Sequence, residues 1–255
     1  MEISFKSKNK SYVKDVTTKE GSTFTVDWDD YDNIPKPYSS KKELAKWYKL
    51  APKRKDNKKE AFSRENKEKG GTIKNCIPVF DAISSGYIIP LSAEVHISIA
   101  YEDDLNMKTV LYSKEGAAMW SGHVFDQYKA APFEGRVVCK FDNPWIIQTP
   151  PGYSCLFTKP FFQESQSFEV LTGIVDTDNY INPVSFPMII DPSVTELTIP
   201  KEFPLVQVIP FKRDSWSATV ITDNPKENKL GITHEMNKFG IDAYKNLYWE
   251  KKTYE

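Results

Sequence analysis

Two carboxylates, Asp176 and Asp178, directly follow the apolar run at residues 171–175. On a strand, residues at i and i+2 share one face and lie about 6–7 Å apart. Such a pair can hold a cation, activate a water or bond a sugar hydroxyl, so both are candidate catalytic residues. Asp and Asn also form turns by bonding their own backbone. The composition of residues 177–179, Thr-Asp-Asn, favours the turn interpretation.

The three histidines, His96, His123 and His234, are candidates for a metal site. A non-haem iron centre needs two histidines and a carboxylate that converge. His123 and Asp126 are spaced H-x-x-D, which on a strand places the two side chains on opposite faces. Surface or hydrogen-bonded histidines are the favoured interpretation. An Fe²⁺-dependent jelly-roll oxygenase is the alternative.

A basic segment, residues 53–69, could contact phosphates, since Lys and Arg drive non-specific binding to nucleic acids. Its candidate contacts are Lys53, Arg54, Lys55, Lys58 and Lys59. Acidic residues are interleaved among them, and Phe62 is the one large apolar side chain. Mixed charge with little to bury is typical of a solvated, mobile segment. Nucleic acid is therefore not an expected partner.

Composition favours a mainly β protein. The 255 residues include 17 prolines, too many for a helical bundle, and 13% aromatic residues, which pack well on sheets. The three cysteines have no metal-site spacing, so we expect reduced thiols. No P-loop, Rossmann, nucleophile-elbow or zincin motif is present. We expect no signal peptide and no membrane contact, because the chain lacks a sufficiently long apolar run.

Three regions are predicted. The first, residues 1–71, is predicted to contain an N-terminal arm, a short helix with a Ser40–Glu43 capping box and the mobile basic segment. The second, residues 72–222, is the predicted β domain. The third, residues 223–255, is a predicted helical tail. Strands are predicted at 77–80, 87–91, 95–100, 109–112, 135–141 and 145–149. The predicted core residues are Trp145, Ile147, Tyr153, Leu156, Ile174, Leu205, Val206 and Ile209. The expected architecture is a distorted β-barrel or a two-sheet sandwich of jelly-roll-like type.

Several short motifs resemble those of one family. KWYK at 46–49, NCIP at 75–78, SGYIIP at 85–90, the segment 143–160 that begins NPW, and VIPFKR at 208–213 are similar to uncharacterised proteins encoded mainly by tailed bacteriophages. The resemblance implies a phage origin, other phage or host proteins as partners, and a location in the host cytoplasm, the virion or both.

A second, distant resemblance covers residues 143–213. PPGY at 150–153, GIVD at 173–176 followed by Tyr180, and a last motif at 199–208 are similar in order to dUTPases and dCTP deaminases. The resemblance implies a trimeric, dUTPase-like β fold in which Asp176 and Tyr180 bind the deoxyribose and base, with Mg²⁺ as cofactor. FTKP at 157–160 stands where that family has its phosphate-binding Arg-Ser-Gly motif. Triphosphate hydrolysis depends on such an anion site.

The favoured function is a non-enzymatic bacteriophage protein with a structural, assembly or host-interaction role, which needs no cofactor. The first alternative is a nucleotide-binding or nucleotide-hydrolysing enzyme that uses Asp176. For that enzyme, the nearest cations in sequence are Lys159, Lys212 and Arg213. The oxygenase is the second alternative.

Overall fold

The computed structural model describes residues 1–7, 14–17, 23–26, 34–52, 72–102, 107–113, 120–122, 128–133, 136–141, 143–164, 167–220 and 243–255. These residues form two compact units. The first comprises Met1–Tyr38 and Gly86–Arg213, and the second comprises Ser39–Ser85 and Asp214–Glu255. The region boundaries predicted after residues 71 and 222 stay predictions.

The described residues form sixteen strands and few helices, which confirms the mainly β prediction. The strands are β1 Ser4–Ser7, β2 Lys14–Thr17, β3 Thr23–Val26, β4 Tyr38–Ser39, β5 Tyr87–Pro90, β6 Val95–Glu102, β7 Met107–Ser113, β8 Trp120–Gly122, β9 Val138–Phe141, β10 Trp145–Gln148, β11 Tyr153–Thr158, β12 Phe168–Val170, β13 Gly173–Val175, β14 Phe186–Ile190, β15 Glu196–Ile199 and β16 Pro204–Lys212. The α-helices are α1 Lys46–Leu50, α2 Ile77–Ser84 and α3 Ala243–Leu247, and 3-10 turns occur at Ser40–Glu43 and Ile73–Asn75.

The strands lie in open sheets, and among the described residues they do not close into a barrel. The largest sheet has the order β13-β11-β16-β5-β4 and the next has the order β12-β14-β9-β8. Smaller sheets are formed by β15-β6-β7, β1-β10 and β2-β3. The defined pairings are antiparallel, including β11 with β13 and β11 with β16. No helix in the described part of the chain is long and apolar enough to cross a bilayer.

The core of the first unit follows from the alternation of side chains along these strands. Cys155, Phe157 and Val208 are at most 2% exposed and belong to one apolar cluster. Trp145, Ile147, Leu205 and Val206 are buried as predicted, and Tyr153, Leu156 and Ile209 are half-buried.

The prediction that Ile174 is buried is wrong, because this side chain is 63% exposed. Ile174 lies in β13, a three-residue strand at the edge of its sheet. It stands opposite Leu156 on the face away from the core, whereas its neighbour Val175 packs against the core.

Two predictions for the second unit are also wrong. Residues 77–80 form the start of α2 and not a strand, with Pro78 in the first helical turn. Proline fits there because the first N–H groups of a helix have no intrahelical partner. Ser40 begins a 3-10 turn without a side-chain cap bond, and its hydroxyl is buried with no partner among the described residues.

The terminal helix is described only at Ala243–Leu247, within the predicted span of 234–251. The chain then continues without helix to residue 255. Within the second unit, the Asp81 carboxylate on α2 accepts hydrogen bonds from Trp249 Nε1 at 3.0 Å and Lys252 Nζ at 2.9 Å. These bonds fix the C-terminal residues to the helix.

Candidate functional site

The segment that carries Asp176 and Asp178 is a turn. β13 ends at Val175, so the two carboxylates do not share a strand face as the strand interpretation requires. The backbone carbonyl of Asp176 accepts the N–H groups of Asn179 at 3.1 Å and Tyr180 at 2.9 Å. The backbone of this segment therefore forms the turn that the composition of residues 177–179 favours. The Asp176 carboxylate, by contrast, bonds to side chains outside the turn.

A buried threonine fixes the turn to the sheet. Thr177 is 1% exposed, and its hydroxyl lies 2.8 Å from the Thr149 hydroxyl and 3.3 Å from the Cys155 thiol. Burial raises the pKa of Cys155 to about 11, which the hydrogen bond from Thr177 only partly opposes. At neutral pH this buried thiol is therefore protonated, which is typical of a structural core cysteine.

Arg213 binds Asp178 in a bidentate pair. Nη1 of Arg213 donates to Oδ1 of Asp178 at 2.7 Å, and Nη2 donates to Oδ2. The Gly152 N–H also donates to Oδ2, at 2.8 Å. These bonds fully engage the nearly buried Asp178 side chain, which is 5% exposed. Paired N–H···O⁻ bonds of this kind are among the strongest in proteins.

The same arginine reaches Asp176. Its Nη1 lies 3.1 Å from Oδ1 of Asp176, which also accepts the Ser154 hydroxyl at 2.6 Å. The Asp176 side chain is 60% exposed, so the carboxylate is held by Ser154 and Arg213 through Oδ1 while much of it remains in contact with solvent. We call Ser154, Asp176, Asp178 and Arg213 the strand-end clamp, because they join the end of β16, the start of β11 and the turn after β13.

The clamp lowers the pKa of both carboxylates. Hydrogen bonds from Arg213 are the main cause for Asp178, whose pKa falls to about 2. For Asp176, the bond from Ser154 is the main cause, and the Arg213 charge adds to it. A general base works best with a pKa near the operating pH. Asp178 is therefore a weak base, and the lowered pKa of Asp176 also disfavours a role as general base.

The clamp should make stability depend on pH in the acid range. The folded-state pKa of Asp178, about 2, lies below its value of about 3.9 in an unfolded chain. Its contribution is therefore complete above about pH 4 and is lost as pH falls through 2. We expect Asp178→Asn to flatten the acid side of the stability profile, measured by urea unfolding between pH 2 and 6. An unchanged acid slope would contradict this assignment.

The cations predicted near the site do not all converge there. Arg213 lies in the clamp, whereas Lys159 pairs with Glu169 at 3.0 Å on the surface. Lys212 is exposed in β16. Tyr180 follows the turn with its side chain 43% exposed. The clamp itself has two carboxylates and one guanidinium, so its net charge is negative and it offers no anion site.

A cavity of about 220 Å³ lies along β12, apart from the clamp. Arg136 and Lys159 line it together with Glu164, Glu169 and Asp191. The acidic side chains outnumber the basic ones. This cavity therefore does not supply the phosphate site that the dUTPase-like motifs lack.

The histidines and the basic segment give no further site within the described residues. His96 bonds Thr198 at 2.7 Å and Glu94 at 2.9 Å on an exposed surface. His123, Asp126 and His234 lie outside the described residues, as do Lys53, Arg54, Lys55, Lys58 and Lys59. In the described ranges, no group of three or more His, Cys, Asp or Glu is placed to hold a metal ion.

A second feature beside the clamp is an exposed apolar sheet face. Leu156 pairs with Ile174 on one side and Ile209 on the other, so all three point to the same side, as does Phe211 opposite Ser154. We call Leu156, Ile174, Ile209 and Phe211 the outer face. Ile174 is 63% and Phe211 37% exposed, and the other two are half-buried. The sequence did not reveal this face, because β16 carries apolar side chains on both sides and β11 contributes only Leu156 between Ser154 and Thr158.

Comparisons with known proteins give weak matches to dUTPase structures. No family model and no curated protein matches the chain. The native EIAV dUTPase is 14% identical with a TM-score of 0.31, over 58% of this chain and 88% of that chain. A mutant dUTPase from phage phi11 of S. aureus is 10% identical with a TM-score of 0.33, over 55% and 84%.

A third match is the dUTPase of Staphylococcus bacteriophage 80alpha with dUpNHpp, 11% identical with a TM-score of 0.32, over 56% of this chain and 79% of that chain. The distant, partial likeness to dUTPases that the motif order indicates is thus present in the structure. Scores this low carry no conclusion about activity.

Proposed function

We propose that this chain is a non-enzymatic bacteriophage protein that acts by binding other phage or host proteins, in a structural, assembly or host-interaction role. Its place of action would be the virion, the host cytoplasm or both. The outer face is the observation that carries the proposal. Contiguous exposed apolar side chains with a polar rim are typical of protein interaction sites. Leu156, Ile174, Ile209 and Phe211 supply the apolar centre, and the exposed Asp176 carboxylate, which accepts a hydrogen bond from the buried Ser154 hydroxyl, borders it.

The clamp supports a structural role for the candidate carboxylates. Arg213 compensates the charge of Asp178, which is nearly buried, and also contacts Asp176. A buried carboxylate needs such a partner because an unpaired buried charge is strongly unfavourable. Arg213 therefore holds together the strand ends beside the outer face, and its guanidinium is paired with carboxylates and not with a phosphate.

Nucleotide binding is the second candidate, favoured by one observation. The Asp176 side chain is 60% exposed at a turn that also presents Tyr180. A solvated carboxylate could accept a hydrogen bond from a sugar hydroxyl. Hydrolysis would further need Mg²⁺ and a cation for the phosphates, which the clamp does not offer.

Thermal unfolding with nucleotides separates the two candidates. We expect no change in Tm when dUTP or dCTP is added with Mg²⁺. A rise in Tm that Asp176→Asn removes would overturn the proposal in favour of the nucleotide candidate. Asp191→Asn is the matched control, since Asp191 is also a turn carboxylate with a lowered pKa, held by Ser193.

A further inference from the structure

The cavity along β12 has the size of a small-molecule site. Its volume is about 220 Å³, and all the residues that line it belong to the first unit. Part of its wall comes from β12 and β14, and part from the segment after β11 and from Leu205 of β16. Sites for drug-sized ligands are larger, about 300–1,000 Å³, whereas an apolar cavity of about 150 Å³ holds benzene. The cavity therefore suits a molecule smaller than a nucleotide.

Part of the cavity wall is apolar and buried. Val170, Ile189 and Leu205 line the cavity and are at most 8% exposed. We call these three residues the apolar wall. Phe168 also lines the cavity and is half-buried. A ligand with an apolar group gains free energy when that group leaves water for such a surface.

Two opposite charges lie side by side where the cavity meets solvent. The Ile190 N–H donates to the Val137 carbonyl at 3.0 Å, which continues the register in which β9 pairs with β14. The next opposed residues in this register are Arg136 and Asp191, and both are exposed and line the cavity. Directly opposed residues of an antiparallel pair have Cβ atoms about 4.5–5.5 Å apart.

Neither of these charged groups is fully paired among the described residues. Oδ1 of Asp191 accepts the Ser193 N–H at 2.9 Å and the Ser193 hydroxyl at 2.5 Å, whereas Oδ2 accepts no hydrogen bond from a described residue. The Arg136 guanidinium makes no hydrogen bond or ion pair within the same ranges. The Ser193 bonds, aided by the Arg136 charge, lower the pKa of Asp191, so its carboxylate is ionised at neutral pH.

We infer that the cavity binds a free α-amino acid with an apolar side chain. A guanidinium matches a carboxylate through paired N–H···O⁻ bonds, so Arg136 binds the carboxylate of the ligand. An ammonium group has three donors, and one of them reaches the free Oδ2 of Asp191. The side chain of the ligand packs on the apolar wall. An α-amino acid carries both charges on one carbon, which suits two adjacent groups of opposite sign.

The other basic residue of the cavity does not compete for the ligand carboxylate. Lys159 pairs with Glu169 at 3.0 Å, so its charge is already compensated. Glu164 adds a further negative charge to the lining, which favours a ligand with an ammonium group over a simple anion. The inference goes beyond the proposed function, because the cavity and the outer face consist of different residues. Its failure would leave the proposed interaction role unaffected.

Isothermal titration calorimetry of the full chain with L-leucine, L-methionine and L-phenylalanine tests the inference. We expect saturable heat with at least one of them and a Kd of about 1 mM or below, since the ligand has few atoms. Analogues that lack the amino group or the carboxylate, such as 4-methylpentanoate and isopentylamine for leucine, should bind at least about tenfold more weakly. Glycine, which has no side chain to pack, should also bind more weakly.

Arg136→Gln and Asp191→Asn should each weaken amino-acid binding by about tenfold or more, the effect of losing a charged hydrogen-bonding partner. Lys201→Gln and Glu196→Gln are the matched controls, because they remove exposed charges outside the cavity wall. Both controls should bind as the original chain does. Thermal unfolding without ligand checks that each variant is folded.

The absence of saturable heat with all three amino acids, at roughly ten times the expected Kd, would overturn the inference. Equal binding of an amino acid and either of its analogues would do the same, because the cavity would then be a simple anion or cation site. Unchanged binding by both Arg136→Gln and Asp191→Asn would also contradict it. The analogue comparison uses the original chain and so does not depend on the folding of a variant.

Discussion

Trp145→Ala should lower the free energy of unfolding by about 3–5 kcal/mol, the usual cost of removing a buried aromatic side chain. Trp145 lies in β10, is 7% exposed and belongs to the main apolar cluster. The Asn143 side chain binds both backbone groups of Trp145, at 2.8 and 3.0 Å, so the backbone has little freedom to close the cavity. Urea unfolding followed by circular dichroism measures the loss.

Trp145→Phe is the matched control. The Trp145 indole N–H is buried without a hydrogen-bond partner in the described part of the chain. Phenylalanine keeps most of the apolar volume and removes this unpaired donor, whose burial is unfavourable. We expect Phe to cost far less than Ala. A near-original Tm for Trp145→Ala would refute the assignment of β10 to the core.

Gly86→Ala should destabilise the protein by about 2–5 kcal/mol. Gly86 has φ +70°, a left-handed conformation that costs about 1–2 kcal/mol for a residue with a side chain. A Cβ there would lie 2.0 Å from the Val208 carbonyl oxygen. Because that atom is backbone in β16, relief requires the strand to shift, and overpacking of this kind adds about 1–3 kcal/mol.

Gly152→Ala separates the two contributions. Gly152 has φ +84°, but nothing lies within 4 Å of its added Cβ. Its cost should therefore be limited to about 1–2 kcal/mol of backbone strain. Thermal and urea unfolding of both variants give the comparison. Equal losses at the two positions would show that the close approach of β16 to Gly86 is not important.

Much of the fold could be predicted from local patterns. The strands predicted at 87–91, 95–100, 109–112 and 145–149 match β5, β6, β7 and β10 closely. Alternation or dense apolar composition bounded by turn residues marks such strands. The prediction of a strand at 77–80 is wrong because a short apolar run does not distinguish a strand from a buried helix. Pro78 was the available helix signal.

The site was harder to predict because its partners are distant in sequence. Asp176 and Asp178 could be singled out by composition, but Arg213 meets Asp178 across 35 residues. That contact depends on the pairing of β11 with β16, in which Tyr153 faces Lys212. Strand pairing follows from register, and a single sequence does not reveal register between distant strands. The exposure of Ile174 depends on the same information, since it results from the edge position of β13.

Photo-cross-linking from the outer face tests the central claim most directly. A photoreactive phenylalanine analogue at position 211 keeps the aromatic ring of Phe211, which is 37% exposed. In the cells that make the protein, it should form covalent adducts with another protein, identified by mass spectrometry. The same analogue at position 50, also exposed but in the second unit, should not form these adducts. No adducts from position 211, or the same adducts from both positions, would contradict the account.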